Sequence, residues 1–243
     1  MGLALSVLAV VVGVLIGMVG VGGVLLPPGL VALGGLTANE ATATSTWAFV
    51  FTGVVGTVAY AWRGVVPWGM VGRLAIGVVP AAFLGALVNA RLPASIVMLG
   101  LAALTLFVGV QQLRPRAAKE TRDELGTAAL VTVGAFVGFG SALTGTGGPV
   151  LLVPVLLTLG VPPLRAVAAS QAVQLPVVVA GSAGYLQTGL VDVRQGTVLG
   201  CVAALGVVAG AVVATRIRAE GLRRIVALAC IAAGVFLVVR AAL

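Results

Sequence analysis

Two glycine clusters interrupt long apolar stretches of the chain: Gly20-Val21-Gly22-Gly23 and Gly145-Thr146-Gly147-Gly148. Prolines follow each, Pro27 and Pro28 after the first, Pro149 and Pro154 after the second. Non-helical backbone at membrane depth survives only where it is buried in protein or lines a wet cavity. A helix restarting after such a break has N–H groups without intrahelical partners and a positive dipole end. Two restarts facing each other at the midplane make an anion site that needs no fixed cation. Gly22, Gly23, Gly147 and Gly148 are therefore expected to supply backbone donors to a ligand. The competing reading is that these glycines only let helices approach closely.

Polar residues open the apolar segment that follows each break. The first group runs Asn39-Glu40-Ala41-Thr42-Ala43-Thr44-Ser45-Thr46, and the second, from Arg165, includes Ser170, Gln171 and Gln174. Ser45, Thr46, Ser170, Gln171 and Gln174 offer hydrogen bonds without a charge that would trap an anion. The alternative has the hydroxyls bonded to carbonyls of their own helix or joining helices. Gln174 leans towards ligand contact, because an amide lacks that easy local partner. Glu40 is the candidate for ion coupling, since an intramembrane carboxylate commonly marks an ion or proton pathway. Asp192 is a weaker one, and both residues fall at segment ends.

Enzyme signals are missing. The chain has no His, no HExxH, no phosphate loop and no nucleophile elbow, so no enzymatic activity, metal or cofactor is expected. Cys201 and Cys230 lie inside apolar stretches and read as small hydrophobes.

These groups have to be positioned by membrane helices. Of the 243 residues, 60% are hydrophobic and 8% charged, and the mean hydropathy is +1.23. A soluble domain carries about 25% charged residues. The apolar runs do not alternate as the strands of a membrane barrel would. The net charge of +8 comes from residues scattered at segment ends, which is how membrane loops are charged and unlike a nucleic-acid-binding face.

Apolar segments run over 3–34, 41–61, 68–89 and 94–112, then 126–160, 166–187, 195–214 and 221–241. Between the fourth and fifth, Arg114 to Glu124 has seven charged residues in eleven. The chain accordingly divides into a first membrane repeat (1–113), a charged linker (114–125) and a second repeat (126–243). A shift of 125 positions aligns the halves without a gap. Gly20, Gly22 and Gly23 fall on Gly145, Gly147 and Gly148; Ala41 and Ser45 on Ala166 and Ser170; Gly56 on Gly181; Tyr60 and Gly64 on Tyr185 and Gly189.

The distribution of basic residues separates parallel from inverted copies. If each broken segment crosses once, the fourteen Arg and Lys residues divide eight to six. If each returns to its own side, they divide eleven to three, leaving only Arg91, Arg194 and Arg240 opposite. The fold expected is an all-α polytopic membrane protein of two inverted-topology repeats. Each has a broken or re-entrant first helix unit and three transmembrane helices. The linker is expected on the cytoplasmic side of the inner membrane, with both termini outside. Tyr60, Trp62, Trp68 and Tyr185, near span ends, fit interfacial anchors.

In order and duplication these motifs resemble the TauE/SafE family of sulfite and organosulfonate exporters. The elements are Gly20–Gly23 with Pro27, Ala41–Ser45 and Tyr60 with Gly64, then Gly145–Gly148 with Pro154, Ala166–Ser170 and Tyr185 with Gly189. The third glycine of the family's GGG run is absent from both copies. The resemblance implies a multi-pass permease that moves small sulfur-containing anions outward. The expected function is secondary transport of small anions by alternating access around a midplane site. The alternative is a non-transporting subunit or scaffold of a larger complex. Expected partners are a small anion (a sulfur oxyanion first), the lipid bilayer and, as an option, further copies of the chain in a homo-oligomer.

Overall fold

The computed structural model describes residues 2–20, 22–113, 125–213 and 219–242. Most of the linker, Arg114 to Glu124, lies outside the described residues, as do Arg216 and Arg218. The protein is all-helical among the described residues. Helix α1 spans Leu3–Val19, a short 3-10 turn spans Gly22–Leu25, and α2 spans Leu26–Leu33. Then come α3 (Ala38–Trp62), α4 (Trp68–Arg91) and α5 (Ala94–Leu113). The second half repeats the order with α6 (Thr127–Thr144), α7 (Pro149–Thr158), α8 (Pro163–Leu186), α9 (Val193–Val213) and α10 (Ala219–Ala242).

Six of these helices are long and apolar enough to cross a membrane: α3, α4, α5, α6, α8 and α9 over Val193–Gly210. Large apolar side chains such as Leu3, Ile76, Phe136, Leu205 and Leu228 stand exposed around the outside. That suits a lipid surround, where an outward apolar side chain costs nothing. The first segment is broken where glycine permits it. α1 ends at Gly20, which takes the left-handed conformation at φ 76°, and α6 ends the same way at Gly145, φ 63°.

Neither broken segment runs straight on. Gly22 sits against Val12, Leu15 and Ile16, and Gly29 sits against Leu8, so the chain after the first break doubles back along α1. After the second break, Leu151 lies over Gly140. A single surface pocket gathers Leu125 and Leu130 near the start of α6 with Arg165 at the start of α8. Both broken segments are therefore hairpins.

Packing exchanges elements between the halves. α6 lies along α4, and α1 lies along α9. Glycines make both approaches close: a Cβ on Gly77 would overlap the Val131 carbonyl oxygen, and one on Gly138 would stand 2.6 Å from that of Val78. The equivalent crossing has Gly13 against Ala203 and Gly210 against Val14. α5 and α10 meet symmetrically, with Gly109 against Ala227 and Ile231, and Gly234 against Ala102 and Leu106. At the centre α3 and α8 run antiparallel. Thr57 faces Gln171, Gly53 faces Gln174 and Leu175, and Gly181 faces Thr46.

One sequence expectation is corrected. Tyr185 is not an interfacial anchor: its side chain is fully buried, and its hydroxyl donates to the Ala142 carbonyl at 2.6 Å. Its counterpart Tyr60 is half-buried under the Arg63 guanidinium, 5.8 Å from the ring centre. Trp62 and Trp68 are exposed as expected.

If glycine packing sets the helix spacing, Gly77→Ala should destabilise the protein by about 1–3 kcal/mol, the usual cost of overpacking. Gly72→Ala, where a Cβ meets nothing within 4 Å, should be nearly neutral. Thermal melting of the two purified variants in one detergent checks this.

Candidate functional site

The two glycine turns meet inside the protein. A Cβ on Gly23 would stand 2.9 Å from the Thr146 carbonyl oxygen and 3.3 Å from the Phe49 ring. Gly147 approaches Phe49 at Cδ2 and Cγ, and Gly148 approaches Val177 and the backbone of Gln174. Ile16, Gly20, Gly23, Phe49, Thr146, Pro149, Val150 and Gln174 line a cavity of about 10 Å³. That is close to the least volume that holds one water, so admitting an anion requires movement of these walls.

The cavity lies at mid-height of the two central helices. Phe49 is eleven residues beyond Ala38 in α3 and Gln174 eleven beyond Pro163 in α8, in helices of 25 and 24 residues. At 1.5 Å per residue this is about 17 Å from either start. Phe49 and Gln174 are equivalents at the 125-residue offset, and the Gln174 amide donates to the Phe49 carbonyl at 3.4 Å. Residue and counterpart touch where the two halves face each other.

Helix α7 restarts at this point. Its N-cap, Gly148, has φ 100° and no capping side chain, and Pro149 follows in the first turn. Gly147 is also left-handed, at φ 80°. Among the described residues the amides of Gly147, Gly148 and Val150 have no acceptor. These are the orphan donors of a helix start, and all three residues stand at or beside the cavity. The first break is built differently, because its 3-10 turn runs directly into α2. Gly22 there faces α1 instead of the cavity, where a Cβ would lie 2.6 Å from that of Leu15.

The polar residues of α3 and α8 divide into committed and uncommitted groups. Thr46 donates to the Thr42 carbonyl at 2.8 Å, and Ser170 to the Val167 carbonyl at 2.8 Å, both within their own helices. The Ser45 hydroxyl lies 2.9 Å from the Thr42 carbonyl and 3.0 Å from that of Gly145, the latter a tie between the halves. Gln174 Nε2 donates to Thr52 Oγ1 at 2.9 Å, while its Oε1 is buried without a partner. Gln171 Oε1 is likewise unpartnered. It fits beside Gly56, where a Cβ would stand 2.5 Å away, and its Nε2 faces Gly20. Native interiors leave few such groups unsatisfied, so two amides at one central site single it out.

Glu40 lies apart from the cavity, in a capping box at the start of α3. Its carboxylate accepts from the Thr37 amide and hydroxyl at 2.9 and 2.8 Å, and its own amide donates to Thr37 Oγ1. Asp192 accepts from the Gln195 amide at the start of α9. Phe49, Thr52 and Thr146 complete the site and were not singled out from the sequence. The repeat itself carries the signal for Phe49, as the counterpart of Gln174.

The Gly145 backbone holds the second turn against α3. Gly145→Ala should strain the left-handed residue and place a Cβ 2.6 Å from Ser45 Oγ. A loss of about 1–3 kcal/mol is expected. Tyr185→Phe should lose about 1 kcal/mol with its bond to Ala142. Melting temperatures of the two variants against wild type test both values.

No curated protein and no solved structure shows a significant similarity to the chain. One family model, described as sulfite exporter TauE/SafE, matches residues 3–237, nearly the whole length. With six helices apolar enough to span a bilayer and a buried polar site between two broken hairpins, the chain belongs to the TauE/SafE sulfite exporter family.

Proposed function

We propose that the protein is a secondary transporter that exports sulfite or an organosulfonate by alternating access around the cavity between the two glycine turns. The observation that carries this reading is the meeting of both turns at mid-height, with unpaired amides at Gly147, Gly148 and Val150 beside the unpartnered Gln171 and Gln174. Backbone N–H groups and carboxamides bind an oxyanion without a cationic side chain and so release it readily. A half-turn of the Gln174 amide would present Nε2 to the cavity while Oε1 accepts from Thr52. Gly23, Gly147, Gly148, Gln171 and Gln174 would then contact the anion directly. Ser45 would hold the second turn in place, and Gly22, Thr46 and Ser170 would support the helices around it. Glu40 serves the α3 cap in this reading.

The two repeats would sit in inverted orientation, with the linker cytoplasmic and both termini outside. The antiparallel course of α3 and α8 and the two returning hairpins support that arrangement, as does the eleven-to-three division of basic residues. Alternating access follows naturally when equivalent hairpins enter a shared site from opposite ends.

Uptake of labelled sulfite into proteoliposomes of purified protein should be saturable and competed by sulfonates. Gln174→Ala should raise KM about tenfold or more, as expected for a lost hydrogen bond to a charged ligand. Ser45→Ala should act mainly on stability. Absence of flux with any sulfur oxyanion, from folded protein, would overturn the reading. Orientation is checked separately: reporter tags on both termini should be accessible only from outside intact cells, and a tag read in the cytoplasm would overturn the inverted arrangement.

A further inference from the structure

Among the described residues two buried hydroxyls have no hydrogen-bond partner, those of Ser141 in α6 and Ser182 in α8, which are 1% and 2% exposed. Neither lines the cavity between the glycine turns. Both belong to the region where α6 meets α8. Tyr185, in the turn after Ser182, donates to the carbonyl of Ala142, the neighbour of Ser141, and a Cβ on Gly181 would meet Ala142. A buried hydroxyl without a partner costs free energy, and native interiors hold few of them.

The 125-residue offset gives these two a reason. The cavity is not placed evenly between the halves. It takes Ile16, Gly20 and Gly23 from the first half, but not their counterparts Ser141, Gly145 and Gly148. Phe49 and Gln174 are the one pair of counterparts that both line it. The contacts between α3 and α8 are uneven in the same way. Thr57 donates to the Gln171 carbonyl at 3.2 Å. The equivalent bond would run from Ser182 to the Thr46 carbonyl, yet the Ser182 hydroxyl is unpartnered. Gly181 faces Thr46 as Gly56 faces Gln171, so the two helices already stand close where that bond is missing.

We infer that Ser141 and Ser182 serve the converse arrangement, in which each half takes up the contacts now made by the other. Ser182 there donates to the Thr46 carbonyl, and Thr57 releases that of Gln171. The cavity moves to its image position, where Ser141 stands in the place of Ile16 and its hydroxyl donates to the transported oxyanion. The inference rests on the alternating-access reading above and supplies a binding residue for its second state. The two states then differ in kind, because a hydrogen-bond donor replaces an apolar side chain at the wall of the site.

The test measures melting and sulfite flux together on serine variants of the full-length chain. Removing an unpaired hydroxyl should leave the melting temperatures of Ser141→Ala and Ser182→Ala equal to or above that of wild type. Thr57→Ala, which breaks a bond that is present, should lower it by about 2–4 °C. In sealed vesicles of each orientation, Ser141→Ala should raise the KM for sulfite about tenfold from one face only, as for a lost hydrogen bond to an anion. Ser182→Ala should lower the maximal rate about fivefold, because the converse state loses one hydrogen bond. Wild-type flux with unchanged KM in Ser141→Ala would overturn the inference alone, and a lowered melting temperature beside it would assign that hydroxyl to a buried water. An equal rise in KM from both faces would put Ser141 at the site in both states and overturn the exchange. Absence of wild-type flux would overturn the transport reading and the inference with it.

Discussion

A polypeptide turn inside a bilayer must find partners for its backbone groups within the protein, because hydrocarbon offers none. Both glycine turns face this constraint, and much of the surrounding structure answers it. α3 and α8 are the most buried of the candidate spans, and they run on either side of the turns. Their inward residues are small or polar where a turn approaches: Thr42 and Ser45 at Gly145, and Gly56 with Gln171 at Gly20. Tyr185 and Asn89 serve the same end from further out. They donate to the carbonyls of Ala142 and Leu143, in the last turn of α6 just before its break. Among the described residues the side-chain groups left unsatisfied are Ser141, Gln171, Gln174 and Ser182, of which Gln174 lines the cavity and Gln171 lies beside Gly20 at its wall. The proposed site for a polar ligand lies where the fold leaves polar groups without partners.

Close helix contact is the second requirement, and glycine meets it. Without a hydrophobic drive between helices in lipid, association depends on fit and van der Waals contact. The α4–α6 and α1–α9 crossings place glycine where a side chain would strike backbone, at positions that correspond across the repeat. Each hairpin is held mainly by a helix of the other half, so neither repeat can bury its own broken segment alone. Coupling between the halves is built into that exchange: a hairpin cannot shift without disturbing the opposite repeat.

The apolar segments and the two breaks were legible in the sequence because each has a local signature: apolar runs, and glycine beside proline. The site was legible only in part. Gln171 and Gln174 stood out as amides in an apolar helix, and the structure leaves both with unpartnered oxygens. Phe49 resembles any core aromatic, and only tertiary packing sets it between the two turns. Whether a hydroxyl spends its proton within its own helix depends on rotamer and neighbours. Thr46 and Ser170 do so, while Ser45, at the same register as Ser170, also reaches across to Gly145. Tyr185 misled for a related reason. A tyrosine near a span end suits the interface, and nothing local reveals that a carbonyl lies within reach of its hydroxyl.

The departures from symmetry bear on mechanism more than the symmetry does. Two identical halves would give a site with no preferred direction. Here the first break is a tight 3-10 turn running straight into α2, whereas the second is an open turn with Gly147 and Gly148 both left-handed. Asn39 and Asn89 are hydrogen-bonded to each other, and Asn89 also reaches the Leu143 carbonyl, so they clamp α3, α4 and α6 together. Their counterparts at the repeat offset are Leu164 and Ala214, whose side chains have no polar group with which to form such a pair. The α6 hairpin is therefore tied by a buried amide pair with no counterpart of the same residue type, while the first hairpin is tied through the Val31 carbonyl, which accepts from Arg240. The barriers to moving them must differ, since breaking a buried network leaves unpaired groups that apolar sliding does not. In the proposed transport cycle, hairpins with unequal barriers would open at different rates on the two sides, while the net direction follows the gradients.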